Sequence, residues 1–91
     1  MESFTFVLDI QNKKGLHARA ASAFVKLTDR FQSEIFVEKD GQRVSGRSIM
    51  GLMMLAAAQG TSIKVFVEGD DAAAAKDAIS DLVNHKFFEE D

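Results

Sequence analysis

Lys14-Gly15-Leu16-His17-Ala18-Arg19-Ala20-Ala21 joins two segments of different hydrophobic period, and the chain reads outward from it. Before it, Phe4, Phe6, Leu8 and Ile10 alternate with Thr5, Val7 and Asp9, the period-two pattern of a half-buried strand. After it, Ala20, Ala21, Phe24, Val25 and Leu27 recur at roughly helical spacing. An amphipathic helix therefore starts near His17 and fades around residues 28–30. Gly15 closes the polar connection, and an imidazole stands where the helix begins.

That position has chemical consequences. The first turn of a helix leaves backbone N–H groups unpaired and carries the positive end of the helix dipole. Such surroundings disfavour a protonated ring and leave a neutral, nucleophilic imidazole. If the ring takes up a phosphoryl group, the same N–H groups and Arg19 can hold its oxygens. A lone histidine at a helix start is more often a solvated surface residue. What distinguishes His17 is the string around it and a second motif downstream.

Residues 34–39 alternate again, with Ile35 and Val37 on one face and Glu34, Phe36 and Glu38 on the other. Asp40-Gly41 is a strong two-residue hairpin turn, because both central positions of that turn want positive φ. The returning strand, residues 42–45, is short and polar, as edge strands tend to be. Ser48 is a good N-cap for a second helix, in which Ile49, Leu52, Met53 and Ala56 share a stripe and Gly60 is the expected terminator. Ile49, Met50 and Met53 cannot all point inward on one short helix, although filling the core is the plainer role for methionine. Residues 62–68 form the fourth strand, with Ile63, Val65 and Val67 inward and Lys64, Phe66 and Glu68 outward. Gly69-Asp70-Asp71 breaks that strand and caps a last helix, whose buried stripe is Ala75, Ile79, Leu82 and Val83. His85 near its C-terminus reads as favourable dipole chemistry. Phe87-Phe88 and Glu89-Glu90-Asp91 read as a frayed end, with one phenylalanine folded back on the sheet.

The order β-α-β-β-α-β-α defines an α+β fold, an open-faced two-layer sandwich with three helices on one face of a four-stranded antiparallel sheet. Pattern alone also permits a ferredoxin-like strand order. At 91 residues the chain is expected to form a single domain spanning 1–91. With no cysteine it has no disulfide framework, and its two histidines are far apart in sequence, so neither a metal nor a cofactor is expected. A net charge of −3 argues against nucleic acid as a partner. Met1-Glu2-Ser3 is acidic where a signal peptide is basic, and the apolar run 52–58 is too short for membrane insertion. The expected location is the cytoplasm.

Gly15-Leu16-His17-x-Arg19, together with Ser48-Ile49-Met50-Gly51-Leu52-Met53, resembles the histidine-containing phosphocarrier (HPr) family of the bacterial phosphoenolpyruvate-dependent phosphotransferase system, over nearly the whole chain. The resemblance implies the strand order 1-4-2-3. It implies that His17 accepts a phosphoryl group on Nδ1 from the upstream, phosphoenolpyruvate-charged enzyme and passes it to a downstream acceptor protein. Such a carrier is a protein substrate and not an enzyme with turnover of its own. The resemblance also implies that Arg19 stabilises the phosphate and that Ile49, Met50 and Met53 form a partner-docking patch. It further implies that a dedicated ATP-using kinase, with a matching phosphorylase, regulates through Ser48, for which simple helix capping is the plain alternative. The expected state is a monomer. Two departures stand out. Ala20 occupies a position where many members have proline, and Lys14 one where many have asparagine.

Charge is uneven: residues 11–50 carry eight Lys/Arg against four Asp/Glu, and the remainder three against ten. If Lys13, Lys14, Arg19, Arg43 and Arg47 gather near His17, the active end is locally positive and steers acidic partners. The competing reading from another class is a small α+β regulatory or ligand-binding module without covalent chemistry, with His17 as an anion contact.

Overall fold

The computed structural model describes residues 1–89. Strands β1 (Glu2–Asp9), β2 (Glu34–Lys39), β3 (Gln42–Ser45) and β4 (Ser62–Gly69) alternate with helices α1 (Ala18–Thr28), α2 (Ile49–Met54) and α3 (Ala72–Asn84). All strand pairings are antiparallel, in the order β1-β4-β2-β3. The expected α+β sandwich is thus the fold observed, and the 1-4-2-3 order replaces the ferredoxin-like alternative. No helix among the described residues is long and apolar enough to cross a membrane.

The period-two runs set the two faces of the sheet. Leu8, Ile35, Val37, Ile63, Val65 and Val67 are buried beneath the helices, packed with Phe24, Leu52, Ala75, Ile79 and Val83. Phe36 and Phe66 face each other directly across the β2–β4 ladder on the other side, half-buried, with Val7 on the same face 60% exposed. Arg43 lies over the Phe66 ring at 4.0 Å and the Phe36 ring at 5.8 Å, which shields both rings from water. The β2–β3 turn has φ of 51° at Asp40 and 82° at Gly41, as a hairpin of this length requires.

Three local expectations are corrected. Helix α2 stops at Met54, before the expected terminator Gly60, because Ala56 takes a left-handed φ of 51° that a continuing helix cannot hold. Asp71 precedes α3, but its side chain makes no capping bond. Its carboxylate accepts hydrogen bonds from the backbone N–H groups of Gln32 and Ser33 and from the Ser33 hydroxyl, binding the loop before β2 to the start of α3. The C-terminal segment is not frayed through Glu89. Lys86, Phe87 and Phe88 form one turn with φ of 56–57°, a conformation that costs L-residues about 1–2 kcal/mol each. Phe87, buried against the core, anchors that turn. Glu90 and Asp91 lie outside the described residues.

Candidate functional site

Gly15 makes the loop before α1 possible. Its φ of +65° suits glycine, and a Cβ there would meet the Ala57 carbonyl oxygen and the Ala58 Cα. Next to it, the Leu16 N–H donates to the same Ala57 carbonyl at 2.9 Å, tying the loop to the segment that follows α2. Buried Leu16 then fixes the direction in which the chain enters the helix. His17 is the N-cap residue of α1, in extended conformation, and its side chain makes no capping bond to the helix N–H groups. The ring therefore stands at the head of the helix without being spent on the helix N–H groups.

Arg19 lies in the first turn of α1 and is exposed. With Lys13, Lys14, Phe87, Phe88 and Glu89 it lines a cavity of about 530 Å³. A smaller cleft of about 200 Å³ brings Lys14 and His17 together with residues 56–58, directly after α2. Lys13, Lys14 and Arg19 thus stand around the histidine loop as expected.

Arg43 and Arg47 do not. Arg43 sits on the open face of the sheet over the two phenylalanines, with Glu38 at 3.6 Å. Arg47 lies at the far end of α1, where its guanidinium donates to the carbonyls of Thr28, Phe31 and Ser33 at 2.7–2.8 Å. An eleven-residue helix is roughly 16 Å long, so Arg47 is a full helix length from His17. These carbonyls belong to the helix end and the loop after it; Thr28's also accepts from the Phe31 N–H at 3.1 Å, and one forked guanidinium reaches all three at once. The basic cluster at the active end is therefore smaller than the sequence suggested.

Ser48 caps α2, its hydroxyl accepting from the Gly51 N–H at 2.9 Å. Beyond it, Ile49, Met50 and Met53 are 40%, 71% and 41% exposed, and Met54 is exposed as well. Of Ile49, Leu52, Met53 and Ala56, the expected core stripe, only Leu52 is buried, and Ala56 lies beyond the helix. The plainer role for these methionines, filling the core, is not the one they play.

Two residues near His17 escaped the sequence reading. The Glu89 carboxylate contacts the imidazole, with Oε2 2.5 Å from Nε2. Its other oxygen accepts from the Asn12 amide at 2.8 Å, and the same amide nitrogen donates to the Gly15 carbonyl at 2.8 Å. Asn12 is completely buried, and its Oδ1 has no partner among the described residues. A buried asparagine beside a glycine turn was a signal within the sequence, but nothing local connected it to the tail.

Comparison with known proteins agrees with this architecture. Residues 4–85 match the family described as "PTS HPr component phosphorylation site". The phosphocarrier protein HPr of Neisseria meningitidis serogroup B is 51% identical over 82 residues, covering 90% of this chain and 92% of that protein. The HPr-like protein Crh of Bacillus subtilis is 39% identical over 79 residues, covering 87% and 93%. Among solved structures, HPr-C-His from Thermoanaerobacter tengcongensis superposes with a TM-score of 0.88 at 47% identity, covering 99% of both chains. Fold and sequence together define a phosphocarrier of the phosphotransferase system. The chain belongs to the HPr family.

Proposed function

We propose that residues 1–91 act as one phosphocarrier domain in which His17 is the residue that carries the phosphoryl group. It receives that group on Nδ1 from the phosphoenolpyruvate-charged upstream enzyme and delivers it to a downstream acceptor protein. The observation that carries the reading is the placement of His17. The imidazole heads α1 without being spent on a capping bond, and Arg19 follows within the first turn. Transfer is in line between this ring and a nucleophile of each partner, so the carrier contributes positioning and charge stabilisation. Arg19 and the free N–H groups at the start of α1 hold the phosphate oxygens once they arrive.

Ile49, Met50 and Met53 are the docking patch in this reading. Their exposure supports it, and flexible, polarizable methionine suits a surface that meets more than one partner. Ser48, at the edge of the patch, is the regulatory phosphorylation site. Incubation with phosphoenolpyruvate and the upstream enzyme tests the central assignment. The expected result is uptake of one acid-labile phosphate by the wild type and none by His17→Ala. Equal uptake by His17→Ala overturns it.

A further inference from the structure

The contact between the C-terminal segment and the imidazole bears on which ring nitrogen can react. Glu89 Oε2 faces His17 Nε2 at 2.5 Å, and both side chains are largely enclosed, at 12% and 24% exposure. An ionised carboxylate only accepts hydrogen bonds, so the hydrogen between the two groups belongs to Nε2. In a neutral imidazole, a proton on Nε2 leaves the lone pair on Nδ1. The carboxylate is itself fixed. Asn12 donates to Oε1, and the Gly15 carbonyl dictates that the nitrogen end of the Asn12 amide faces this way. Phe87, buried just before Glu89, anchors the tail from the other side. We propose that Glu89 is a positioning residue that holds His17 in the tautomer with Nδ1 free to attack. The match to the HPr family model ends at residue 85, four residues before Glu89.

The consequence for transfer rests on His17 being the phosphoryl acceptor. The Nδ1 lone pair forms the N–P bond as the bond from phosphorus to the donor breaks, and that bond's electron pair leaves with the donor. The Nε2 proton stays in place, so the phosphorylated ring is cationic and faces the Glu89 carboxylate. On delivery the N–P bond breaks, its pair returns to Nδ1, and the ring is again neutral with its proton on Nε2. One carboxylate thus serves both directions, and no proton is exchanged with water. The logic is that of a buried carboxylate orienting a catalytic imidazole.

Glu89→Gln and Glu89→Ala separate this role from a general electrostatic or structural one. In Glu89→Gln, Asn12 continues to donate and therefore claims the amide oxygen. The new NH₂ then faces Nε2 and donates to it, which moves the ring proton to Nδ1. Glu89→Ala leaves the ring without a partner at Nε2. The glutamine variant is therefore expected to transfer more slowly than the alanine variant, and at least about tenfold more slowly than wild type, at unchanged melting temperature. Nitrogen-15 chemical shifts of the neutral ring should show Nε2–H in wild type and a shift toward Nδ1–H in Glu89→Gln. Wild type with the proton on Nδ1, or a glutamine variant with wild-type tautomer and rate, overturns the proposal even when His17 is found phosphorylated. Failure of wild type to take up phosphate overturns the phosphocarrier assignment instead, and the tautomer measurement still decides the role of Glu89.

Discussion

Gly15 lies so close to Ala57 that a Cβ on the glycine would stand 2.4 Å from the Ala57 carbonyl oxygen. The obstacle is backbone, held by the Leu16 N–H, so it cannot swing aside as a side chain would. Gly15→Ala combines this clash with an unfavourable φ and is expected to cost about 2 kcal/mol or more. Gly41→Ala, also at positive φ but with open space around it, is expected to cost about 1 kcal/mol. Urea denaturation of the two variants side by side measures the difference, and equal costs would mean that the loop relaxes around the new methyl.

Arg19 and Arg43 carry the same charge and are predicted to behave oppositely. Arg19→Ala should slow phosphoryl transfer, since charge-assisted hydrogen bonds contribute about 1.5–3 kcal/mol, and leave stability unchanged. Arg43→Ala uncovers Phe66 and Phe36, and should lose about 1 kcal/mol of stability while transfer proceeds at the wild-type rate. Transfer kinetics and melting curves on both variants check the pair. A rate loss in Arg43→Ala would return that arginine to the partner-facing surface.

Ser48→Asp separates cap from docking edge. A carboxylate at this position can still accept from the Gly51 N–H, so stability should move by less than about 1 kcal/mol. A negative charge beside Ile49 and Met50 must be desolvated when a partner docks and repels an acidic one. Phosphorylation by the upstream enzyme should show a raised KM, with His17 still competent. Unchanged kinetics would place Ser48 outside the interface.

Asp71 predicts an acid-side signature. Hydrogen bonds from the Ser33 hydroxyl and then the Gln32 N–H hold its carboxyl below the usual carboxylate range. A group with a depressed folded-state pKa contributes stability above its unfolded pKa, and loses that contribution as pH falls through the folded one. Asp71→Asn should therefore be less stable than wild type near neutrality, and the two should converge below the ordinary aspartate range. Denaturation at a series of acidic pH values tests this. A gap that persists unchanged to the lowest pH would mean that hydrogen-bond geometry, not ionisation, sets the cost.

Local pattern carried most of the fold. Ile35 and Val37 against Phe36, or Ile63, Val65 and Val67 against Phe66, report the two faces of the sheet because strand side chains alternate and one face must be dry. Asp40-Gly41 reports its turn because few residues accept positive φ. The strand order came from family resemblance and not from period. His17 and Arg19 were legible since helix geometry places them together. The Glu89 and Asn12 contacts join residues more than seventy positions apart, and no periodicity links them. Arg47 misled for a related reason. Its position just before Ser48 suggested the active end, whereas three carbonyls at the far end of α1 take its guanidinium. Helix α2 is shorter than its pattern because Ala56, an excellent helix former, gives no hint that it turns left-handed.

The register of β1 with β4 pairs Glu2 with Gly69 and Asp9 with Ser62, and among the described residues β1 has no other strand beside it. Every ladder bond of the first strand therefore waits for the last. During synthesis β1 stays without its ladder partner until β4 has been made. The β2–β3 hairpin can form in the meantime, but it too lacks the strand that joins it to the rest. Contacts of such long sequence separation slow folding, because the intervening chain must be ordered before they form. Phe4, Phe6 and Leu8 consequently remain open to wrong partners until β4 arrives. Chains that stop short of β4 should be sticky and protease-sensitive, because the apolar face of β1 has no ladder to hold it.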